Sequence, residues 1–391
     1  MITDYLRQVR SVFVSLRLTV VLIALSIVLV FWATLAQVHL GVWGVQQKFF
    51  HSFFVYEGLG ELRMPVYPGG YLIGGLLLLN LLSAHIYRFK AGWRKSGIWI
   101  AHAGLILLLL GELASGLLQR DYQMRLEEGQ TKNYSESSRR NELAIIDATD
   151  PGFDDVVAIP ESLLASGTVV QNPRLPFRVV SKGYVPNSEI RVRSDVPNAP
   201  PSPATAGMGP MVAVVPLEVT YKEDERNLPS AFVELVGSDG SLGTWVVSTG
   251  LGNPQTFPYA GRSWKIVMRP ERHYQPFSLT LEKFSHDIYP GTDIPKNFSS
   301  RVRINTPDGG PGREVLIYMN NPLRYRGLTY FQYQMDSAKE ESVLQVVKNP
   351  SWTLPYVACV TMGLGLVFQF CLHLFGFARR RAAAGLKPAQ A

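Results

Sequence analysis

The chain alternates between long apolar stretches and one long polar stretch. Three apolar segments lie within the first 120 residues, a polar stretch of about 230 residues follows, and a fourth apolar segment lies near the C-terminus. Each apolar segment has about the length that an α-helix needs to cross a hydrocarbon core, some 17–25 residues. The pattern predicts four membrane-spanning helices, at Leu18–Val38, Tyr71–Tyr87, Gly97–Leu118 and Leu354–Phe375.

The polar stretch consists of short apolar or alternating runs separated by Gly, Pro, Asn and Asp, which is typical of an antiparallel sheet. These runs are Asn141–Asp147, Phe177–Ser181, Met211–Tyr221, Ala231–Val236, Thr244–Ser248, Trp264–Met268, Phe277–Phe284, Ser300–Asn305, Val315–Met319, Thr329–Gln334 and Val343–Val347. The Pro-rich segment Asp195–Gly209 is expected to be a flexible excursion. It either separates two lobes or is a long loop within one sandwich.

These patterns define the predicted fold class. We expect a membrane protein with four transmembrane α-helices, three N-terminal and one C-terminal, and a large mainly-β extracytoplasmic domain. The predicted divisions are a cytoplasmic N-terminus at 1–17, a three-helix membrane region at 18–118, the β-rich domain at 119–353, the fourth helix at 354–375 and a basic tail at 376–391.

The first segment could instead be a signal peptide. Its apolar run is too long and no cleavage site stands apart from it, so a retained span is preferred.

Lys and Arg predict the orientation of the four spans. The loop His39–Gly70 between the first and second spans has only Lys48 and Arg63, offset by Glu57 and Glu61. Basic residues concentrate instead before the first span, between the second and third, and after the fourth: Arg7, Arg10, Arg17, Arg88, Lys90, Arg94, Lys95, Arg379, Arg380, Arg381 and Lys387. The positive-inside rule then predicts that both termini are cytoplasmic and that the polar domain is outside, as expected for a multi-pass protein of the bacterial inner membrane.

The basic composition follows from this orientation. The chain has a net charge of +7 and a pI near 9.3. The stretch Arg120–Trp352 holds 25 basic and 27 acidic residues, so 13 basic and 4 acidic residues remain in the membrane part. The excess charge therefore suits contact with anionic membrane lipid and gives no indication of nucleic-acid binding.

Both cysteines, Cys359 and Cys371, lie in the fourth span about 18 Å apart on a helix, too far for a disulfide with each other.

Histidines within the apolar segments are the candidate functional residues, because polar groups in a membrane are costly and mark sites. At 1.5 Å per residue, His102 lies about 7–8 Å inside the third span, whereas His85 and His373 lie only about 3 Å from the inner ends of theirs. His85 and His373 also suit an interfacial role. His102 has small neighbours, which either admit a bulky ligand or serve helix packing. A neutral imidazole in an apolar slot suits haem iron.

Three other polar residues of the spans have simpler interpretations. Glu112 is either a buried anchor or an interfacial residue, and Asn80 and Gln369 are expected to form hydrogen bonds between helices.

Several motifs resemble one family. They are the opening SLRLTVVLIALSIVLVFWATLAQ, the basic hinge before a His-bearing third span, and a closing block with Pro295–Val302, Asn321–Gly327, Tyr330–Gln332 and Asn349-Pro350. In order and topology they resemble the ResB (CcsB) family of system II c-type cytochrome biogenesis. The resemblance covers both ends well and the middle, about Asp150–Gly291, poorly. The family's Gly-Thr near the end of the first span stands here as Ala33-Thr34.

The resemblance implies a machine that depends on a partner. ResB-type proteins act with a CcsA-type membrane protein in moving haem b outward and attaching it to apocytochrome c, whose thiols are kept reduced by other proteins. His102 then matches the family's axial ligand to haem iron, and His85 is a weaker candidate. No adjacent Trp pair of the partner's kind occurs here. The resemblance therefore favours an accessory subunit of a haem-lyase complex, with no catalytic residue in this chain.

The polar domain has no cysteine, so it is expected only to hold its substrates, by strand addition for an extended apocytochrome segment. His273, His286 and His51 are weak candidates for a haem contact. Two other functions remain open. One is a stand-alone b-type haem electron carrier, which needs two facing histidines such as His85 and His102. The other is a non-haem envelope scaffold, in which the histidines are incidental.

Overall fold

The computed structural model describes residues 2–59, 62–87, 92–197, 201–222, 225–291, 295–308, 312–336 and 341–385. Arg88, Lys90 and Lys387, to which the charge argument refers, lie outside these residues, as does the end of the predicted basic tail. The chain divides into two compact units. We call Met1–Arg120 with Lys348–Ala391 the helical unit, and Asp121–Val347 the β unit.

In the described residues, four helices are long and apolar enough to cross a membrane, so the predicted spans are confirmed. The helices of the chain are α1 (Ile2–Phe13), α2 (Leu16–Val45), α3 (Gly70–Tyr87), α4 (Ser96–Leu118), α5 (Glu161–Ala165) and α6 (Leu354–Gly385), with short helical turns at Gln46–Phe50 and Trp93–Lys95. The N-terminus is helical, although the sequence pattern gave no prediction for it. The side of the membrane on which each end lies stays a prediction.

The segment after the first span differs from the predicted loop. Helix α2 continues past Val38 and is interrupted at Gly41, whose φ of 66° suits a residue without a side chain. The chain then forms the antiparallel hairpin of β1 (Phe54–Leu59) and β2 (Leu62–Pro68). The first part of the predicted loop His39–Gly70, as far as Phe50, is therefore mainly helical. Phe49 is fully buried among residues of α2 and α3, because a ring of that size has enough apolar surface to fill the gap between them.

The β unit is built from antiparallel strands. They are β3 (Arg120–Glu127), β4 (Thr131–Asp147), β5 (Asp155–Pro160), β6 (Val169–Val170), β7 (Arg178–Val185), β8 (Ser188–Val192), β9 (Val212–Pro216), β10 (Ser230–Gly237), β11 (Gly240–Ser248), β12 (Gln255–Tyr259), β13 (Arg262–Ile288), β14 (Pro295–Asn305), β15 (Arg313–Tyr318), β16 (Leu323–Tyr325), β17 (Leu328–Asp336) and β18 (Glu341–Lys348). The large sheet has the order β15-β14-β13-β4-β3-β18-β17-β16, with β5 beside β4 and β12 beside β13. A smaller sheet has the order β11-β10-β7-β6, and β8 pairs with β9.

The predicted mainly-β domain is therefore confirmed, and each predicted apolar run lies in or overlaps a strand. Two predicted runs, Trp264–Met268 and Phe277–Phe284, belong to one strand, β13. The polar residues between them, from Arg269 to Pro276, are extended because they pair with β4. Within its described residues, six strands of the β unit have no run of their own among those predicted: β3, β5, β6, β8, β12 and β16.

Two large hydrophobic cores fill the described part of the β unit, and β13 contributes side chains to both of them. One core contains Leu143 and Trp264, and the other contains Phe277 and Leu344. Between them β13 carries two polar pairs, Arg269–Glu142 at 2.9 Å and Arg272–Glu136 at 3.0 Å. The register shifts between Pro270 and Arg272, so the side of β13 that faces the core changes there.

The Pro-rich segment is not a free excursion. In residues 201–209, the longer of its two described parts, the backbone N–H groups of Thr205 and Ala206 donate to the carbonyl of Thr244, and Ala206 pairs with Trp245 of β11. Residues 198–200 lie outside the described residues. Residues 201–209 thus pair with an edge strand, while the expected flexibility of the Pro-rich segment stays a prediction.

Candidate functional site

Helices α3 and α4 bring two of the predicted histidines together. The ring centroids of His85 and His102 are 5.6 Å apart and their planes are inclined at 52°. His85 is buried, with 9% of its surface exposed, and His102 is half-buried. Two imidazoles at this distance within apolar helices form the candidate functional site.

The hydrogen bond of His102 fixes which ring nitrogen carries the proton. Its Nδ1 lies 2.8 Å from the carbonyl oxygen of Ile98, one turn earlier in α4. A carbonyl oxygen can only accept, so Nδ1–H donates and Nε2 is the nitrogen with the lone pair. Histidines that bind metals are commonly held in this way by a bond from the other nitrogen. His102 therefore has the tautomer that haem iron requires of an axial ligand.

Trp99 completes the local arrangement. Its ring centroid lies 4.3 Å from that of His85, in an edge-on contact at 70°. Trp99 and His102 are three residues apart on α4, so both point towards α3. Trp99 is not among the candidate residues predicted from the sequence. The signal that would have identified it is this spacing from a histidine within an apolar helix.

The opposite face of α4 is made of glycines. Gly97, Gly104 and Gly111 recur every seventh residue and are all buried. A side-chain carbon added at Gly104 would lie 2.7 Å from the backbone nitrogen of Met362, and one added at Gly97 would lie 2.6 Å from that of Gln369. These small residues therefore serve close packing on α6. Of the two explanations offered for the small neighbours of His102, helix packing is the correct one for Gly104.

Gln369 of α6 binds the first turn of α4. Its Oε1 accepts from the backbone N–H of Ile98 at 3.3 Å, and its Nε2 donates to the carbonyl of Arg94 at 3.0 Å. The first N–H groups of a helix have no partner within the helix, so a side chain from a neighbour can satisfy one. Asn80 of α3 makes a similar link, because its Nδ2 donates to the carbonyls of Phe13 and Ser15. Both residues join helices, as expected.

The other candidate histidines do not join the pair. His373 is exposed on α6. The ring of His51 stacks on Tyr71 at 5.5 Å, near Gly116 of α4. In the β unit, His273 stacks on Tyr122 at 5.1 Å and His286 stacks on Phe298 at 4.9 Å. Both rings of the β unit are half-buried against aromatic neighbours.

Glu112 is exposed on α4, which agrees with the interfacial explanation for it. Within the residues that the structure describes, no group of three His, Cys, Asp or Glu side chains is arranged to hold a metal ion. The pair His85 and His102 is therefore the arrangement on which a haem site would depend.

The motif Asn321–Gly327, which contributes to the family resemblance, ends in a tight turn. At the connection between β16 and β17, Arg326 and Gly327 both have positive φ, 46° and 79°, and Tyr325 pairs with Leu328. Two consecutive residues with positive φ define the type I′ turn of a hairpin, and glycine is favoured at the second of these positions. These residues determine the local fold of the closing block.

Comparison with known proteins agrees with that resemblance. Residues 235–343 match the family model described as the ResB-like family. The chain is a ResB-like membrane protein. The matched residues run from β10 to β18 and include residues 235–291, a part of the middle where we expected little similarity.

Two curated proteins are similar to this ResB-like chain. Protein NrfI of Wolinella succinogenes is 31% identical over 303 residues, which are 75% of this chain and 29% of NrfI. Cytochrome c biogenesis protein CcsB of Synechococcus sp. is 33% identical over 135 residues, which are 30% of this chain and 29% of CcsB. The alignments thus span less than a third of the length of both relatives.

Proposed function

We propose that this chain acts in c-type cytochrome biogenesis and that His102 binds haem iron within the membrane. The observation that carries the proposal is the close pair of His85 and His102, in which His102 has the tautomer of an axial ligand. The similarity to NrfI and to a cytochrome c biogenesis protein supports the same pathway. Haem is the cargo of this process, which the chain holds and passes on.

The two histidines have different parts in the proposal. Nε2 of His102 is the iron ligand, because His102 is half-buried and a group on a second protein can reach it. His85 is buried against Trp99 and His102, so it forms the wall of the haem slot. A CcsA-type membrane protein supplies the second ligand. The hydrogen bond to Ile98 would fix the orientation of the His102 ring and leave Nε2 as the atom that binds the iron.

The β unit contributes binding to apocytochrome c. Both cysteines of the chain lie in α6, so the β unit has no thiol with which to reduce or exchange a disulfide. Attachment of haem needs reduced thiols and haem held close together, and the chain supplies the holding. It thus acts as an accessory subunit of a haem-lyase complex, in the bacterial inner membrane with the β unit outside.

A second function is a stand-alone b-type haem electron carrier. The proximity of His85 and His102 favours it, because one chain then offers two imidazoles. This function requires both rings to bind iron from opposite sides. The contact of His85 with Trp99 at 4.3 Å opposes it, since His85 would have to leave that contact. The partner-dependent site needs no such movement of His85.

The test is the visible spectrum of the full chain, purified with and without a co-expressed CcsA-type partner. We expect a haem band that needs the partner and that is lost in His102→Ala. His373→Ala is the matched control, because His373 is exposed on α6 and should leave the band unchanged. Addition of imidazole should restore the band in His102→Ala, since a free ligand can then replace the missing side chain.

The possible outcomes separate the functions. Haem bound by the chain alone and lost in both His85→Ala and His102→Ala would favour the electron carrier. Haem that survives His102→Ala would contradict the assignment of His102 as ligand. The absence of a haem band in every sample, with cytochrome assembly in cells insensitive to His102→Ala, would leave the non-haem scaffold as the best account.

A further inference from the structure

A cavity of about 490 Å³ lies between α1 and the end of α3. Its lining residues are Arg7, Arg10, Ser11, Val14 and Tyr87. Two guanidinium groups three residues apart lie on one side of α1, and the described lining contains no carboxylate. The described lining therefore has a net positive charge, and its polar groups suit a ligand with an oxyanion.

The geometry of the cavity is held by contacts on both of its walls. Arg10 lies over the ring of Tyr87, with Cζ 5.2 Å from the ring centroid. One helical face of α3 carries both Tyr87 and Asn80, which are seven residues apart. Asn80 fixes the end of α1, since its Nδ2 donates to the carbonyls of Phe13 at 2.7 Å and Ser15 at 3.1 Å. These contacts hold the C-terminal end of α1 beside α3, where the open cavity lies.

The sequence of α1 places the cavity at a membrane surface. Apolar residues recur along α1 with helical spacing, as Ile2, Leu6, Val9 and Phe13, whereas its other face is polar. The spanning helix α2 begins at Leu16, directly after α1. A short amphipathic helix joined to a span lies in the interface, with its basic side chains among the lipid head groups.

We propose that this cavity binds the anionic head of a membrane amphiphile. Arg7 and Arg10 would hold the oxyanion by charge-assisted hydrogen bonds, while the apolar body of the ligand stays in the bilayer. A phospholipid phosphate and a haem carboxylate share this chemistry. The inference does not rest on the haem site, because Tyr87 and His85 are two residues apart and face nearly opposite sides of α3.

The phospholipid is the source that the position of the cavity favours. Basic pockets between helices at a membrane surface are typical sites for acidic lipid heads. The pair of His85 and His102 lies on the side of α3 that faces α4, whereas the cavity lies on the side that faces α1. One haem would have to pass around α3 to contact both sites.

The experiment uses the full chain in nanodiscs of phosphatidylcholine with a small fraction of phosphatidylglycerol, and native mass spectrometry counts the lipids that remain bound. We expect the double variant Arg7→Gln, Arg10→Gln to bind phosphatidylglycerol about 25-fold more weakly. This fold-change corresponds to about 1 kcal/mol for each basic residue lost. Arg17→Gln is the matched control, since Arg17 is exposed near the same end of α2 but does not line the cavity.

Two further samples complete the test. The double variant Arg7→Lys, Arg10→Lys keeps the charge and should retain most of the binding, which excludes a general loss of folding. A haem titration in pure phosphatidylcholine nanodiscs separates the sources: loss of haem binding in the Gln variant, with phosphatidylglycerol binding unchanged, assigns the cavity to the carboxylates. The proposal would be overturned if the Gln variant bound phosphatidylglycerol as tightly as the native chain does and also bound haem as tightly as the native chain does.

Discussion

At the scale of single residues, Ile98 links α6 to the candidate haem ligand. Its N–H donates to Gln369 of α6, and its carbonyl accepts from Nδ1 of His102. The backbone of one residue thus connects the helix contact with the orientation of the imidazole. The two groups belong to adjacent peptide units in the first turn of α4, so the loss of Gln369 loosens the turn that carries the acceptor for His102.

We therefore predict that Gln369→Leu destabilises the helical unit by about 1–2 kcal/mol, because it removes two hydrogen bonds that each contribute about 0.5–1 kcal/mol. It should also shift the haem band of the complex, because the His102 ring is held less firmly. Gln369→Glu keeps the acceptor for the Ile98 N–H, so its stability and haem band should lie between those of the native chain and of Gln369→Leu. Thermal unfolding in detergent and the visible spectrum measure the two effects.

The control for Gln369 is Thr361→Val on the same helix. The Thr361 hydroxyl donates to the carbonyl of Val357 within α6 and makes no link to α4. Its loss should leave both the unfolding temperature and the spectrum nearly unchanged. If Gln369→Leu and Thr361→Val behave alike, Gln369 has no role in positioning His102.

At the scale of elements, the contact of α4 with α6 determines which face of α4 remains for His102. The glycines at 97, 104 and 111 occupy one face, and His102 lies on the other. At Gly365 of α6 an added side-chain carbon would also clash, with Ala101. Glycines on both helices allow the backbones to approach closely, and dispersion between them replaces side-chain packing.

We predict that Gly104→Ala weakens this contact by about 1–3 kcal/mol, as overpacking does. The new methyl group would meet the nitrogen of Met362 at 2.7 Å and the carbonyl oxygen of Ala358 at 2.8 Å, both of which are backbone atoms. Gly363→Ala is the control, because no atom lies within 4 Å of a carbon added there. Thermal unfolding of the full chain should show a lower midpoint for Gly104→Ala and little change for Gly363→Ala.

The elements also show how far the sequence is informative. The four spans could be predicted because each apolar run is long enough to exclude other structures. Strand β13 could not be predicted at its full length, since the polar residues between Arg269 and Pro276 become extended only by pairing with β4. The proximity of His85 and His102 was proposed only as one possibility. It depends on the rotation of α4, which the contact with α6 determines.

At the scale of the whole molecule, charge distinguishes the two ends of the spans. The helical unit carries most of the excess positive charge. Arg7 and Arg10 lie in α1, and Arg17 lies in the first turn of α2. Arg94 and Lys95 precede α4, and Arg379, Arg380 and Arg381 lie in the last part of α6. These three groups of basic residues all lie on the same side of the membrane if each span crosses it once, in sequence order. This side is predicted to be the cytoplasm.

The last prediction tests this orientation by the accessibility of single cysteines. Cys359 and Cys371 are first replaced by alanine, which removes both native thiols. Asp239→Cys, in the exposed turn between β10 and β11, should react with a membrane-impermeant maleimide in intact cells whose outer envelope admits it. Arg380→Cys, exposed on α6, should react only after the membrane is opened. The reverse pattern would place the β unit in the cytoplasm, where haem attachment outside the membrane could not involve it.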